Sequence, residues 1–434
     1  VMSSLVGKSS LSSFKKGNLT SFLDYLEQLE NHFTLKEQEI FAFVPESERF
    51  SRLRVEARAL FEQYPDPKNR PPLFGLIVGV KDIFHADGHI TGAGSHVPAD
   101  VLQGIEAESV TLLKKAGALV MGKTITTEFA YFAPGPTRNP HNVLCTPGGS
   151  SSGSAAAVSS GLCLLSLGTQ TIGSITRPAA FCGVVGYKPT YDRISRSGVI
   201  PLSPSVDHVG TFAPDVAMAA CVATQLVESW NLEITGTKEN QCINLGVPEG
   251  VYLDNVSDEG KMQFRATCDR LANAGFEIKS VTAMLDFEDI FVRHNLIVAA
   301  EAANVHENWF ASYTNKYHPK TAELILRGQS VSDHDLNMAL EGRSRLRKEL
   351  TKLMDRNQID LWISPSAPGV APNGLESTGD PVMNLPWTHS VLPTIGMPSG
   401  KNGDRLPFGL QLTGRFGEDE TLFLLASQTE SVLI

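Results

Sequence analysis

The sequence contains no apolar run approaching the roughly 18–20 residues that a membrane-spanning helix needs. It also lacks CxxC and HExxH, the short patterns by which neighbouring Cys or His residues grip a metal. Its six cysteines stand at 145, 163, 182, 221, 242 and 268, with no close pairs. Cys163 and Cys182 lie among small or apolar residues and read as buried thiols rather than disulfide partners or metal ligands. The 11 histidines are scattered without metal spacing, so neither a metal nor a cofactor is expected. Positive charge is in short supply. With 37 Lys and Arg against 47 Asp and Glu, the net charge of −10 argues against general affinity for nucleic-acid phosphates. No tandem repeat and no signal-peptide pattern is visible, and a cytoplasmic location is the default expectation.

What is present is the composition of a globular protein, 42% hydrophobic and 19% charged over 434 residues. Strand-like and helix-like patterns interleave throughout, which predicts an α/β fold. Residues 1–18 are polar and read as loosely held. Leu19–Phe33 and Ser51–Tyr64 have helical spacing and form, within residues 1–72, a helical segment expected to pack outside a sheet. Leu73–Val80 reads as a buried strand that delivers Lys81 and Asp82 at its C-terminal end, where α/β folds place their sites. Asp82 there suits a turn cap or a support for the lysine. Ser109–Ala116 reads as a helix and Ala118–Met121 as a strand. Gly117–Thr124 formally fits the phosphate-binding pattern GxxxxGK[ST], but its intervening residues are apolar and read as the strand itself, so nucleotide binding is not expected. Further on, Asp215–Ser229 and Asp258–Ala274 read as helices. Ile243–Pro248, Phe276–Val281, Asp360–Pro365, Leu392–Pro398 and Leu406–Gly414 read as strands. Residues 285–356 are mainly helical and rich in aromatics, broken near Pro319 and Gly328. Residues 368–386 read as a Pro/Gly-rich loop, and a last helix begins near Thr421.

The chain is organised around Cys145–Thr190, which is crowded with Gly, Ser and Thr and poor in charge. A flexible linker would resemble its start but would not continue into Ala155–Val158 and the apolar run Leu162–Leu167. The order predicted is loop, short helix, buried strand, and a second tight turn holding Ser174 before a helical turn around Pro178–Phe181. A serine between a buried strand and a helix start suits nucleophilic chemistry, because unpaired backbone N–H groups there meet incoming negative charge.

The elements Gly148–Ser154, Leu167–Thr169, Gly173–Ser174, Arg177–Gly183 and Gly186–Thr190 closely resemble the amidase signature family of Ser-Ser-Lys amide hydrolases. The likeness extends, more weakly, from about Leu73 to about Ala426. It implies a single large mixed sheet flanked by helices on both faces over residues 73–434, with the 285–356 helices supplying the variable wall of a substrate pocket. By this resemblance Ser174 is the nucleophile, Ser150 the bridging serine and Lys81 the base, with a cis peptide bond between Gly149 and Ser150. A hydroxyl suits the bridge because it both donates and accepts, and a lysine must lose its proton to serve as base. Oxyanion donors would be backbone N–H groups of Thr171, Ile172, Gly173 and Ser174. Phe129, Gly149 and Gln170 fall in segments that line the family's substrate site. His208 is tempting as a base for Ser174, but the resemblance gives it no catalytic role.

Three positions depart from the common pattern. Gln170 replaces the usual Asp, Ile172 replaces a small residue, and Arg177 stands one position late. A β-branched Ile172 resists positive φ, so either the turn keeps φ negative there or the oxyanion site is altered. The expected activity is hydrolysis of a small or medium-sized linear carboxamide, with an aryl or alkyl acyl group favoured by the 285–317 aromatics. The expected partner is therefore a small-molecule amide, and a homodimer is compatible with the sequence. Two rivals stand beside it. One is the glutamine-hydrolysing subunit of a tRNA-dependent amidotransferase, against which count Gln170 and the lack of an obvious charged clamp for glutamine. The other is an inactive binding protein on the same fold.

Overall fold

The computed structural model describes residues 8–231 and 242–433. Ten strands form one mixed sheet. In chain order they are β1 (Ile77–Lys81), β2 (Leu119–Thr124), β3 (Leu165–Gln170), β4 (Val185–Lys188), β5 (His208–Ala213), β6 (Asn244–Glu249), β7 (Glu277–Thr282), β8 (Leu361–Pro365), β9 (Thr394–Lys401) and β10 (Pro407–Thr413). Across the sheet the order is β2-β1-β3-β5-β4-β9-β10-β8-β6-β7. Pairing is parallel at both flanks, β2/β1/β3 and β8/β6/β7, and antiparallel through the centre.

Both faces are covered because strand residues alternate between two apolar layers. Ile77, Leu119 and Met121 pack with Phe22, Leu26 and Leu53 of the N-terminal helices and with Ala155–Val158. Val78, Val80 and Val120 face the opposite way, toward Val110, Leu113, Val222 and Phe423. A third apolar cluster, including Ile290, Ile297, Leu346 and Trp387, joins helices Phe287–Tyr313 and Asp333–Asn357 to the short helix Leu385–His389. The N-terminal helices thus share a core with the sheet.

Several elements differ from the sequence-based expectation. β1 starts at Ile77, since Leu73–Gly75 turn through Gly75 at φ 77° and Phe22 closes against that glycine. The helix expected to end at Phe33 runs to Ile40, where Phe41 caps it at φ 53°; the polar residues after Phe33 have good helix propensity but no apolar stripe. A helix also forms at Lys8–Lys16, inside the segment read as loose. The expected Pro/Gly loop gives way at its end to helix Leu385–His389. The breaks near Pro319 and Gly328 separate helices Phe287–Tyr313, Pro319–Gly328 and Asp333–Asn357. Gly117–Thr124 contributes β2 rather than a phosphate loop. Residues 232–241 lie outside the described residues. Among the described residues no two cysteines form a disulfide, and Cys163 and Cys182 are buried. No helix among the described residues is long and apolar enough to cross a membrane.

Candidate active site

β1 and β3 run parallel as neighbours, so Lys81 and Gln170 end at the same edge of the sheet. Helix Ser152–Ser159 carries the chain from that edge back to the start of β3. Ser150, just before the helix, and Ser174, just after the strand, therefore meet there. This is the C-terminal edge on which parallel strands expose their loops.

Lys81 is 0% exposed; its Nζ donates to Thr169 Oγ1 at 2.7 Å and lies 2.8 Å from Ser150 Oγ. Burial drives its pKa well below the usual lysine value, and the Asp207 carboxylate offsets part of that fall. A neutral amine has two N–H bonds and a lone pair. It can keep its bond to Thr169 and receive a proton from Ser150. The Gly149–Ser150 bond is cis. Ser174 is 7% exposed, and among the described residues its hydroxyl has no hydrogen bond, so the link from Ser174 to Ser150 is open here. Asp82 pairs with Lys123 at 2.8 Å and accepts from Gly92 N, which pins the end of β1.

The turn from Thr171 to Ser174 keeps its N–H groups free: among the described residues none of the four is donated to a protein group. Ile172 is absent from the left-handed residues, so the turn accepts a β-branched side chain at negative φ. Gln170 holds this turn from inside. Its Oε1 accepts from Ile175 N at 2.8 Å and Thr176 N at 2.9 Å, and its Nε2 donates to Thr388 Oγ1 at 2.9 Å. The longer amide thus serves the backbone donors that follow Ser174. Asp207 holds the other side, accepting from Thr171 Oγ1 at 2.6 Å and from Leu202 N and Ser203 N. Burial raises its pKa to about 6, against the pull of those donors.

Arg177, 1% exposed, ties the site to the 378–379 loop. It donates to Gly149 O and Gly379 O, each at 2.6 Å, and to Thr378 Oγ1. Two cavities flank this edge of the sheet. One of about 340 Å³ is lined by Phe132, Ile172, Phe291, Lys320, Thr378 and Asp380. The other, about 230 Å³, is lined by Thr169, Thr171, Asp207 and His208 among apolar residues.

The remaining expected substrate contacts take other places. Phe129 lines neither cavity: its ring stacks on Tyr317 and Trp309 and meets the edge of His306, and it is 1% exposed. Gln170 is fully buried and its amide is committed to the turn. Gly149 is buried, and a Cβ there would come within 2.6 Å of Thr378. His208 donates from Nδ1 to Val206 O rather than meeting Ser174, and burial lowers its pKa well below the usual value. No charged clamp is visible along the chain, yet Lys320 and Asp380 both line the larger cavity. Sequence reasoning gave Asp207 no role, although its neighbour His208 drew attention.

The family model described as Amidase matches residues 38–423. The chain belongs to the amidase signature family. Among curated relatives, the A subunit of the glutamyl-tRNA(Gln) amidotransferase from Koribacter versatilis is 31% identical, over 84% of this chain and 85% of the relative. Its counterpart from Synechococcus sp. RCC307 is 28% identical, over 96% and 95%. A solved structure described as that of an amidase is 31% identical, covers 98% of this chain and 99% of its own, and superposes with a TM-score of 0.88. The peptide amidase of Stenotrophomonas maltophilia shares the fold, with a TM-score of 0.80 at 23% identity, over 98% of this chain and 96% of its own. Family membership makes the chain an amidohydrolase in the general sense, and the single ten-stranded mixed sheet is the family's architecture.

Proposed function

We propose that this protein hydrolyses a linear carboxamide to a carboxylate and ammonia or an amine, through an acyl-enzyme on Ser174. The observation that carries the reading is the 2.8 Å approach of buried Lys81 Nζ to Ser150 Oγ, at the foot of a turn with free N–H groups. Ser174 attacks the amide carbonyl while its proton passes to Ser150, and the Ser150 proton passes to neutral Lys81. The oxyanion forms against the N–H groups between Thr171 and Ser174, where one donor is typically worth about 2.7–4 kcal/mol of barrier. Lys81 then returns a proton through Ser150 to the leaving nitrogen, which makes it a competent leaving group. Water cleaves the ester by the same path in reverse. The apolar wall of Phe132, Ile172 and Phe291 in the larger cavity favours an aryl or alkyl acyl group.

The test is intact-mass labelling with a fluorophosphonate. One adduct is expected on the wild type and none on Ser174→Ala. A folded wild type that takes no adduct would sink the reading and favour a binding role.

A second reading, a glutamine-hydrolysing subunit of an amidotransferase, is supported by the curated relatives and by Lys320 and Asp380 in the larger cavity. The two charges could meet the carboxylate and ammonium of an amino acid. Ammonia release from glutamine in preference to simple aryl or alkyl amides would favour it.

A further inference from the structure

The rear of the nucleophile turn is fastened by side chains from two distant helices. His294, in helix Phe287–Tyr313, places Nε2 3.0 Å from Thr171 O, and its Nδ1 lies 3.4 Å from Nδ1 of His389. Thr388, in helix Leu385–His389, donates to Ile172 O at 2.6 Å. All three side chains are 0% exposed. We propose that His294, with Thr388 beside it and His389 behind it, is a positioning residue that aims the oxyanion donors of this chain.

Peptide geometry links this brace to the donors. In a trans peptide the carbonyl of one residue and the N–H of the next point in opposite directions. The bonds 171–172 and 172–173 are trans, since the cis bond of the described chain is Gly149–Ser150. A donor fixed on Thr171 O therefore turns the Ile172 N–H to the opposite side. A donor fixed on Ile172 O does the same for the Gly173 N–H. Those N–H groups are left without protein partners among the described residues, while Ile175 and Thr176 are taken up by Gln170 Oε1. Gln170 Nε2 in turn donates to Thr388 Oγ1, so the hydroxyl is directed at Ile172 O.

The tautomers follow. A carbonyl only accepts, so His294 Nε2 carries the proton. Burial lowers the His294 pKa to about 4 and that of His389 well below its usual value, so both rings are neutral at pH 7. His294 Nδ1 is then bare and accepts from His389 Nδ1–H. His389 thereby holds His294 in the tautomer that can donate forward. This brace serves a turn that bears Ile172, whose bulk leaves less freedom to find the donor orientation unaided.

The inference rests on the proposed acyl-enzyme chemistry, and its test separates the two. Fluorophosphonate labelling of Ser174 is followed as a function of probe concentration for wild type, His294→Leu, His294→Gln and Thr388→Val, with melting temperatures alongside. The phosphonyl oxygen needs the same donors as the amide oxyanion, so no natural substrate is required. His294→Leu is expected to lower the maximal labelling rate roughly 10–100-fold, with the half-saturating probe concentration within about twofold of wild type. His294→Gln, which restores an N–H donor, is expected to recover most of the rate. Thr388→Val should fall in the same direction as His294→Leu. If His294→Leu and Thr388→Val label at the wild-type rate, the brace is not used. It is equally ruled out if His294→Gln is as slow as His294→Leu, or if loss of rate merely tracks loss of folded protein. If the wild type itself is not labelled, the proposed function fails and the brace falls with it.

Discussion

At the scale of single residues, the electrostatics of Lys81 set the pH behaviour. Burial holds its pKa well below 10.5, and the Asp207 carboxylate works in the opposite direction. A base acts only when unprotonated, so the rate of labelling at Ser174 should rise with pH through the lowered Lys81 pKa and then level off. Removing the carboxylate removes a group that favours protonated lysine. Asp207→Asn should therefore move that rising limb to lower pH, as read from the labelling rate across a pH series. An unmoved limb would show that the limb does not report Lys81 or that Asp207 does not act on it. The same residue illustrates what a sequence offers at this scale. Ser150, Ser174 and Lys81 are legible because they sit in an ordered motif. Thr169, which bonds Lys81, and Asp207, which bonds Thr171 in the adjoining turn, are recognised only by their distances.

Among elements, the helical region is positioned by close approach as well as by apolar stripes. Gly328 ends helix Pro319–Gly328 against helix Phe287–Tyr313, where a Cβ would lie 1.9 Å from Ala299 O. Backbone cannot yield as a flexible side chain can. Gly328→Ala should cost about 1–3 kcal/mol, the range for overpacking, and lower the melting temperature. Because Phe291 and Asn295 of the longer helix line the larger cavity, a change in amide preference should accompany the loss. An alanine variant with wild-type melting temperature would refute the packing account. Helix Asp258–Asn273, and the helical region between 287 and 357 with its breaks near Pro319 and Gly328, were legible within a few residues. Leu385–His389 was not. It is 5 residues long, begins beside a proline and owes its helical form to packing around Trp387 rather than to any stripe of its own.

For the whole molecule, the parts of the proposed machinery bear on whether the chain acts alone. The Lys81–Ser150 pair and the free turn N–H groups are all supplied by this one polypeptide. The isolated chain should accordingly take the fluorophosphonate adduct and release ammonia from simple amides without a second protein. Labelling that appears only after partner subunits are added would move the amidotransferase reading ahead.

The sequence by itself determined the sheet-and-helix class and the order of most elements, and it nominated Lys81, Ser150 and Ser174 as the candidates for the proposed serine acyl transfer. These are local properties: periodicity fixes an element, and an ordered Gly/Ser/Thr segment fixes two turns on either side of one helix and one strand. Tertiary structure alone decided how the turn from Thr171 to Ser174 is held and what faces it. His294 reaches Thr171 across 123 positions of sequence, and Thr388 reaches Ile172 across 216. Lys320 and Asp380 likewise come to one cavity from separate segments. Hydrogen bonds over such separations leave no period and no spacing in the chain. They exist only once the sheet has brought its edges and the covering helices together.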